Sequence, residues 1–574
     1  MFCRATRFVP LSLIALALFQ NACSKKEAAA GPPPRYAVVR FENLSGDASL
    51  DWVARATADY LSRTLSRALN GPVLNTETLA RNAAGLGAEP GGAPGSSAQR
   101  ADAVAAGATR LVSGSIEKGT EGIRIAATTE DLSTHKTVQF VAVSAPAALK
   151  AMDDLAHAFS PNAARYLTSD AEALRLYTTA ADEPPAEAVK TLEQAVARDA
   201  NFGPAWVALV ALTSRSGDRT GAEALIAKAS AQKIDSLDQA NLEVERANLG
   251  SDANAKIQAL AHLSQLTPAD TGLLRTLATV ESSQGKFSES ARDWQRLASL
   301  LPGNADALNQ EGYNRAWSGD LAGALRAFAE YERVRPSDPN VLDSRGDVQY
   351  LYRKFQDAAA SYLAAYAKNP QFESGGDLYK AAWAQFESGD QAKAEASFAK
   401  FQTAREKTRE DLRELIQADW LYRTGHPKEA MALLRKAQAS PTLSSQLAIW
   451  DLMAGDRAAA AKDMSSITQI SSGAMLVAKF VSLPSAAEDE WRKRADQMIR
   501  GNGSEAVRGP ALGYALILDG KRAAATQVWE KIVETAPATD FFSRAVLAKL
   551  KGEKPKFALL PDPNAANQMR ALVD

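Results

Sequence analysis

The stretch ALNQEGYNRAWSGDLAGALRAFAEYERVRP, residues 307–336, reads as two helices joined by a short turn. Gly312 leaves room for a second helix to cross closely, and Gly319 supplies the turn between them. In the second helix Phe328 fills the space beside the small Ala324, and a proline ends the pattern. Small residues are needed at such crossings because helices packed within about 8–10 Å leave no room for large side chains. The stretch therefore predicts a helical hairpin.

The hairpin recurs with a fixed period. Prolines that follow its second helix are spaced 34 residues apart, at Pro268, Pro302, Pro336 and Pro370. In the following unit the same roles fall on Gly346, Phe355, Ala358, Tyr362 and Pro370. Elsewhere a turn glycine precedes a small alanine by five residues, as at Gly217, Gly389, Gly425, Gly455 and Gly520. One such hairpin cannot bury its apolar face alone, so neighbouring hairpins are expected to stack.

The period and the inner pattern resemble those of tetratricopeptide repeats. About ten units are expected between residues 170 and 540, with residues 471–502 the least regular, and residues 541–574 form a cap and tail. The expected fold class is multidomain: a small mixed α/β domain followed by an all-α tetratricopeptide-repeat superhelix, an α-solenoid.

The small domain is assigned to residues 35–160, where patterns of period 2 and period 3.6 alternate. The predicted order is β-α-β-α-β-β-β-α, with three consecutive strands after residue 108. The segment resembles TolB N-terminal-like domains at Phe41, Asn43, Ser45, Gly46, Asp47, Trp52, Gly107, Gly114 and Ser115. Arg40 departs from the proline usual in that family. The resemblance implies a non-catalytic domain used for protein contact. A phosphate-binding loop is disfavoured, because the segment "ENLSGDASLDW" has one glycine and no lysine.

The N-terminus predicts export. Residues 1–22 combine two arginines with a 12-residue apolar run, which is too short to span the roughly 30 Å of a bilayer core and favours a signal peptide. Ala22 before Cys23 resembles a lipobox, although Gln20 and Asn21 depart from it. Residues 23–34 then serve as a tether. The alternative is an ordinary signal peptide that happens to contain a cysteine. Because an aspartate does not follow Cys23, the expected location is the periplasmic side of the outer membrane.

Composition disfavours most chemistry. The net charge is −1, so no general attraction to nucleic acid or anionic membranes is expected. The four histidines are not at metal-ligand spacing, and the two cysteines are Cys3, in the signal, and Cys23. No catalytic residue, metal site or cofactor is predicted, and the chain is not expected to be an enzyme.

A groove lined by the first helices is the predicted protein-binding surface. Its candidate residues are Asp306, Asn309, Tyr313, Asp343, Asp347, Tyr350, Tyr379 and Trp383. Aromatic side chains with polar neighbours suit an extended peptide or a partner helix. The alternative is that these side chains only contact adjacent helices.

The predicted function is that of an exported, lipid-anchored scaffold that recruits envelope proteins through its repeats. Two alternatives remain open. Similar α/β-plus-repeat arrangements accompany kinase or cyclase domains, which would suit a signalling output module. A hydrolase acting on envelope polymers would need a catalytic role for Asp343 or Asp347.

Overall fold

A computed structural model describes most of the chain. The described residues are 33–69, 71–74, 79, 96–120, 122–161, 163, 168–406, 410–465, 467–501 and 505–561. The predicted signal peptide, Cys23, most of the predicted tether and residues 562–574 lie outside them. No helix among these described residues is long and apolar enough to cross a membrane.

The N-terminal part is a mixed sheet covered by helices. Its strands are β1 (Tyr36–Val38), β2 (Glu42–Asn43), β3 (Val73–Leu74), β4 (Arg110–Gly119), β5 (Gly122–Asp131) and β6 (Lys136–Ala145). Its described helices are α1 (Asp51–Ala68), α2 (Ser96–Ala105) and α3 (Ala148–Phe159). The sheet order is β3-β1-β4-β5-β6; β3, β1 and β4 are parallel, whereas β5 and β6 pair antiparallel. The small mixed α/β domain predicted from sequence is thus confirmed.

The first strand is interrupted where the sequence predicts one continuous strand. Val38 pairs with Val112, and Glu42 pairs with Ser115. Between these two pairings, the segment that forms β1 and β2 contains one more residue than β4 does. An extra residue on one strand is a bulge, which bends the strand and breaks the ladder locally. The bend leads directly into the turn before α1.

That turn is held by its own side chains. The Asn43 Nδ2 group donates to the Asp47 carbonyl at 2.8 Å and to Asp51 Oδ1 at 2.7 Å. Asn43 Oδ1 in return accepts from the backbone N–H and the hydroxyl of Ser45. Gly46 has φ +70°, which favours glycine at the corner. The polar groups named here bond to one another, which agrees with a structural β–α corner.

Helices occupy the chain from residue 171 to residue 551. In order they are α4 (Ala171–Ala180), α5 (Pro185–Arg198), α6 (Gly203–Arg215), α7 (Arg219–Ser230), α8 (Ser236–Leu249), α9 (Ala253–Leu266), α10 (Thr271–Ser283), α11 (Phe287–Leu300), α12 (Ala305–Ser318), α13 (Leu321–Val334), α14 (Asn340–Leu351), α15 (Phe355–Lys368), α16 (Gly376–Glu387), α17 (Gln391–Ala404), α18 (Glu410–Arg423), α19 (Pro427–Lys436), α20 (Pro441–Met453), α21 (Arg457–Ser465), α22 (Gly473–Val481), α23 (Glu488–Gly501), α24 (Glu505–Leu518), α25 (Arg522–Thr535) and α26 (Phe541–Lys551). Within the described residues, ten of these consecutive helix pairs pack against each other, α22 and α23 do not pair in this way, and α26 follows as a single last helix; together the helices form a solenoid.

The close helix crossings follow the predicted pattern. A Cβ atom on Gly312 would lie 2.5 Å from the ring of Phe328, and one on Gly346 would lie 2.6 Å from the ring of Tyr362. At each of these positions, the glycine backbone packs directly against an aromatic ring sixteen residues later in the chain. Because contacts below about 3.4 Å are repulsive between carbon atoms, any larger residue would push the two helices apart.

Most of the turns between paired helices contain a left-handed residue. Glycines with φ between 70° and 105° serve at Gly217, Gly285, Gly319, Gly389, Gly425, Gly455 and Gly520. In the pair α14–α15 the position 34 residues after Gly319 is Arg353, whose φ is 59°. A residue with a Cβ is disfavoured in this conformation by roughly 1–2 kcal/mol.

The stacking is irregular near residues 471–502, as the pattern predicts. Helix α22 packs mainly against α24, so α23 sits outside the regular pairing. Asp519 holds the loop that precedes α23: it accepts hydrogen bonds from Trp491 Nε1 at 2.7 Å and from the Ser485 hydroxyl at 2.8 Å. Its guanidinium partner is Arg457.

The sheet domain and the first helix pairs share one hydrophobic core. The cluster runs without interruption from Val38 and Ile125 in the sheet, through Leu61 on α1, to Leu174 on α4 and Leu209 on α6. Ion pairs cross the same junction: Arg63 with Asp238, Arg67 with Asp235 and Arg55 with Asp182. The first domain is therefore packed directly on the solenoid.

Candidate protein-binding surface

The eight residues predicted to line a groove fall into two groups. Asp306 is exposed, and Asn309 and Tyr313 are half-buried. The other five are buried among neighbouring helices: Asp343, Asp347, Tyr350, Tyr379 and Trp383. A partner could contact the first group directly, whereas the second group is covered in this structure. The alternative considered from sequence, contact with adjacent helices, describes the geometry of these five.

A buried charge cluster links three helix pairs. Lys380 Nζ on α16 donates to Asp343 Oδ1 and Oδ2 on α14, at 2.7 and 2.9 Å, and to Asp347 Oδ1 at 3.1 Å. Asp347 also accepts from the Tyr313 hydroxyl on α12 and the Tyr362 hydroxyl on α15, both at 2.9 Å. A charged group inside a protein is tolerated when it is paired and hydrogen-bonded in this way. The cluster ties α12, α14, α15 and α16 together.

A third carboxyl completes the cluster. Asp377 is 1% exposed, and its two oxygens accept no hydrogen bond from the described groups. Burial, followed by its contact with Asp343, raises the pKa of Asp377 to about 9. The carboxyl therefore keeps its proton at neutral pH, and that proton can be shared with Asp343. Burial also raises the pKa of Asp347 to about 6, against the opposing effect of Lys380.

Aromatic rings fill the next layer. Trp420 stacks on Phe398 with centroids 4.5 Å apart and lies 4.7 Å from the ring of Trp383. Arg423 covers the Trp383 ring at 4.4 Å. Tyr379 packs 5.1 Å from Phe401. This aromatic group is a core between α16, α17 and α18, since its rings contact one another.

The described residues contain no group of three or more His, Cys, Asp and Glu side chains that could hold a metal ion. His262 bonds to Glu243 at 2.8 Å and His135 lies 3.2 Å from Glu130, each on the surface. These surface hydrogen-bond contacts account for the two side chains without a metal.

One surface feature was missed by the sequence reasoning. The turns that follow α10, α12 and α14, together with the last residues of α12 and α14, form a row that we name the turn edge. It comprises residues 284–286, 317–320 and 351–354. The segment from Ala538 to Phe557 crosses this row. A Cβ atom on Gly285 would lie 3.0 Å from the Ala538 Cβ, and the ring of Phe541 lies 6.1 Å from that of Trp317.

Residues 556–561, KFALLP, continue along the turn edge. The Phe557 ring lies 5.7 Å from Tyr352 and 5.1 Å from Phe541. The Ala558 N–H donates to the Leu351 carbonyl at 3.2 Å, which satisfies an otherwise free carbonyl at the end of α14. Phe557, Ala558 and Pro561 are buried. The sequence signal for this contact is the apolar run that follows a lysine-containing segment of the tail.

Comparisons with known proteins find partial similarity to tetratricopeptide-repeat proteins. No family model matches the chain. TPR repeat-containing protein PA4667 of Pseudomonas aeruginosa is 26% identical over 133 residues, which are 23% of this chain and 22% of that protein. A part of this chain is thus similar to a tetratricopeptide-repeat protein. This chain spans only about a fifth of the length of that curated relative. The TolB N-terminal-like assignment remains a prediction.

Two solved tetratricopeptide-repeat structures are also similar. YrrB, described as a TPR protein with an unusual peptide-binding site, is 18% identical and has a TM-score of 0.27, covering 32% of this chain and 94% of that one. The C-terminal part of a TPR repeat-containing protein from Cytophaga hutchinsonii is 13% identical with a TM-score of 0.31, covering 42% and 95%.

Proposed function

We propose that this chain is a non-catalytic protein-binding scaffold of the bacterial cell envelope, anchored by a lipid on Cys23. The observation that carries the binding role is a polypeptide segment seated on the solenoid: residues 556–561 lie along the turn edge with Phe557 between two rings and a backbone hydrogen bond to Leu351. Stacked helix pairs provide a long surface of this kind, and protein partners bind such surfaces through aromatic anchors and backbone contacts.

Site-specific crosslinking tests the binding role. A photoreactive residue is placed at Asp306, whose side chain is 52% exposed on α12, and, as a matched control, at Glu330, which is 46% exposed on α13. In the native host, discrete adducts are expected from position 306 and not from position 330. Equal adducts, or none from position 306, would contradict a partner on the first-helix side.

The anchor is tested separately. Metabolic fatty-acid labelling is expected to label the wild-type chain and to leave Cys23→Ser unlabelled, with the variant released into the soluble fraction. Labelling that persists in Cys23→Ser would exclude this lipidation. This outcome does not depend on the binding role.

A further inference from the structure

Residues 557–561 are attached so that they can leave the turn edge. Gly552, which has φ 75°, caps the end of α26, and residues 551–554 and 556 are exposed. The buried part begins only at Phe557. Residues 557–561 can therefore move away through an exposed hinge without breaking a turn of α26.

The contact has the chemistry of a peptide in a binding site. The segment is non-helical and supplies an aromatic ring, a buried small residue and two half-buried leucines in succession. On the solenoid, the Tyr352 ring contacts the Phe557 ring, and the Tyr352 hydroxyl donates a hydrogen bond to the Ala316 carbonyl, which fixes the ring in place. Ala558 and Leu560 join the cluster that contains Tyr350 and Trp383.

We propose that the turn edge is a binding site for an extended apolar peptide and that residues 556–561 are its intramolecular competitor. The expected partner segment presents an aromatic residue, a small residue and two leucines in that order. This proposal rests on the protein-binding function proposed above and adds its regulation, because a partner must displace residues 556–561 before it can bind. A segment joined by a short linker reaches an effective concentration in the millimolar range, so the occupied site is strongly masked.

The test uses a labelled synthetic peptide of residues 553–561, EKPKFALLP, added to the purified chain, with binding followed by fluorescence anisotropy. Two full-chain variants release the end: Phe557→Ala removes the ring, and Ala558→Pro removes the N–H that bonds to Leu351. Each is expected to bind the peptide roughly tenfold or more tightly than the wild type, because the competing segment is gone. Lys554→Ala, at an exposed position before the buried segment, is the control and should bind as weakly as wild type.

A second substitution locates the site. Tyr352→Ala in the Phe557→Ala background is expected to abolish the gained affinity, with helical circular dichroism confirming that the array is intact. The proposal is overturned if neither release variant binds more tightly than wild type, or if Tyr352→Ala leaves binding unchanged. If position 306 gives no crosslinks while the release variants still bind the peptide, the partner surface on the first helices is rejected and the turn-edge site is kept. The two proposals can therefore fail separately.

Discussion

Lys380 bridges two carboxylates of another helix pair: its ammonium group donates to both oxygens of Asp343 at 2.7 and 2.9 Å and to Asp347 Oδ1 at 3.1 Å. The pair is almost fully buried, with side chains 11% and 7% exposed. Hydrogen bonds from Tyr313 and Tyr362 satisfy the neighbouring Asp347. The middle of the solenoid is therefore held together by charge as well as by apolar packing.

Lys380→Ala should cost about 3–5 kcal/mol of unfolding free energy, because it leaves buried carboxylates without their cation. Urea denaturation followed by circular dichroism measures the loss. Lys393→Ala is the matched control: Lys393 pairs with Asp390 at 2.6 Å, but the lysine is 72% exposed, so the cost should stay below about 1 kcal/mol. Similar losses in both variants would show that the buried cluster contributes no more than a surface pair.

Asp377→Asn should stabilise the protein more at high pH than at low pH. The pKa of Asp377 is raised from 3.8 to about 9 by burial and by Asp343, so its contribution to stability is present below the lower value and is lost as pH rises towards the upper one. An asparagine carries no such charge and can donate to Asp343. Lys380, whose pKa is raised by Asp347 and Asp343 against the opposing effect of burial, stays charged throughout.

Melting temperatures of wild type and Asp377→Asn at pH 5 and pH 9 measure this difference. We expect a gain of at least about 1 kcal/mol at pH 9, since each unit of pKa shift corresponds to about 1.4 kcal/mol. The variant-minus-wild-type comparison removes the titration of Asp347. Equal gains at pH 5 and pH 9 would mean that Asp377 is already ionised at pH 5 in the folded protein.

Arg353→Gly should raise stability by about 0.5–1 kcal/mol, because glycine adopts φ 59° without the steric penalty that a Cβ brings. Its side chain is exposed, so little packing is lost. Arg326→Gly, at an exposed position inside α13, should lower stability by about 1 kcal/mol. Thermal denaturation distinguishes them by the opposite signs of the two shifts; two losses would argue against strain at residue 353.

Arg63→Ala should loosen the packing of the sheet domain on the solenoid. It leaves the Asp238 carboxylate, 1% exposed, without its guanidinium partner, and an unpaired buried charge costs about 3–5 kcal/mol. Hydrogen exchange should rise in α1 and α8. Arg124→Ala breaks a pair with Glu117 in which both side chains are 42% exposed, and should leave exchange in α1 and α8 unchanged. Unchanged exchange in Arg63→Ala would assign the junction to apolar contacts alone.

The sequence predicts the local architecture well because hairpin packing repeats at short range. Gly312 and Phe328 are sixteen residues apart, and their contact follows from one helical hairpin whatever surrounds it. The turn glycines and the irregular region near residues 471–502 are local in the same sense. The mixed sheet followed by a helical solenoid could therefore be predicted.

The candidate site could be predicted only in part, because it depends on how the pairs stack. Asp343 and Tyr379 lie on the expected helices, but the adjacent helices approach closely enough to bury them. The contact of Phe557 with Tyr352 joins residues about 200 positions apart, and no periodic pattern encodes it. Such contacts are set by the curvature of the whole array, which accumulates small rotations from each pair.

The shared core at the junction changes what counts as a separable piece of this protein. The change in sequence pattern near residue 165 marks the border between the sheet domain and the helical repeats. Leu61, Leu174 and Leu209 nevertheless belong to one apolar cluster that crosses this border. A fragment that begins at residue 171 would leave Leu174 exposed to water, and one that ends at residue 160 would leave Leu61 exposed. A workable cut for expression or domain exchange therefore lies beyond α9, after the helices that complete this core.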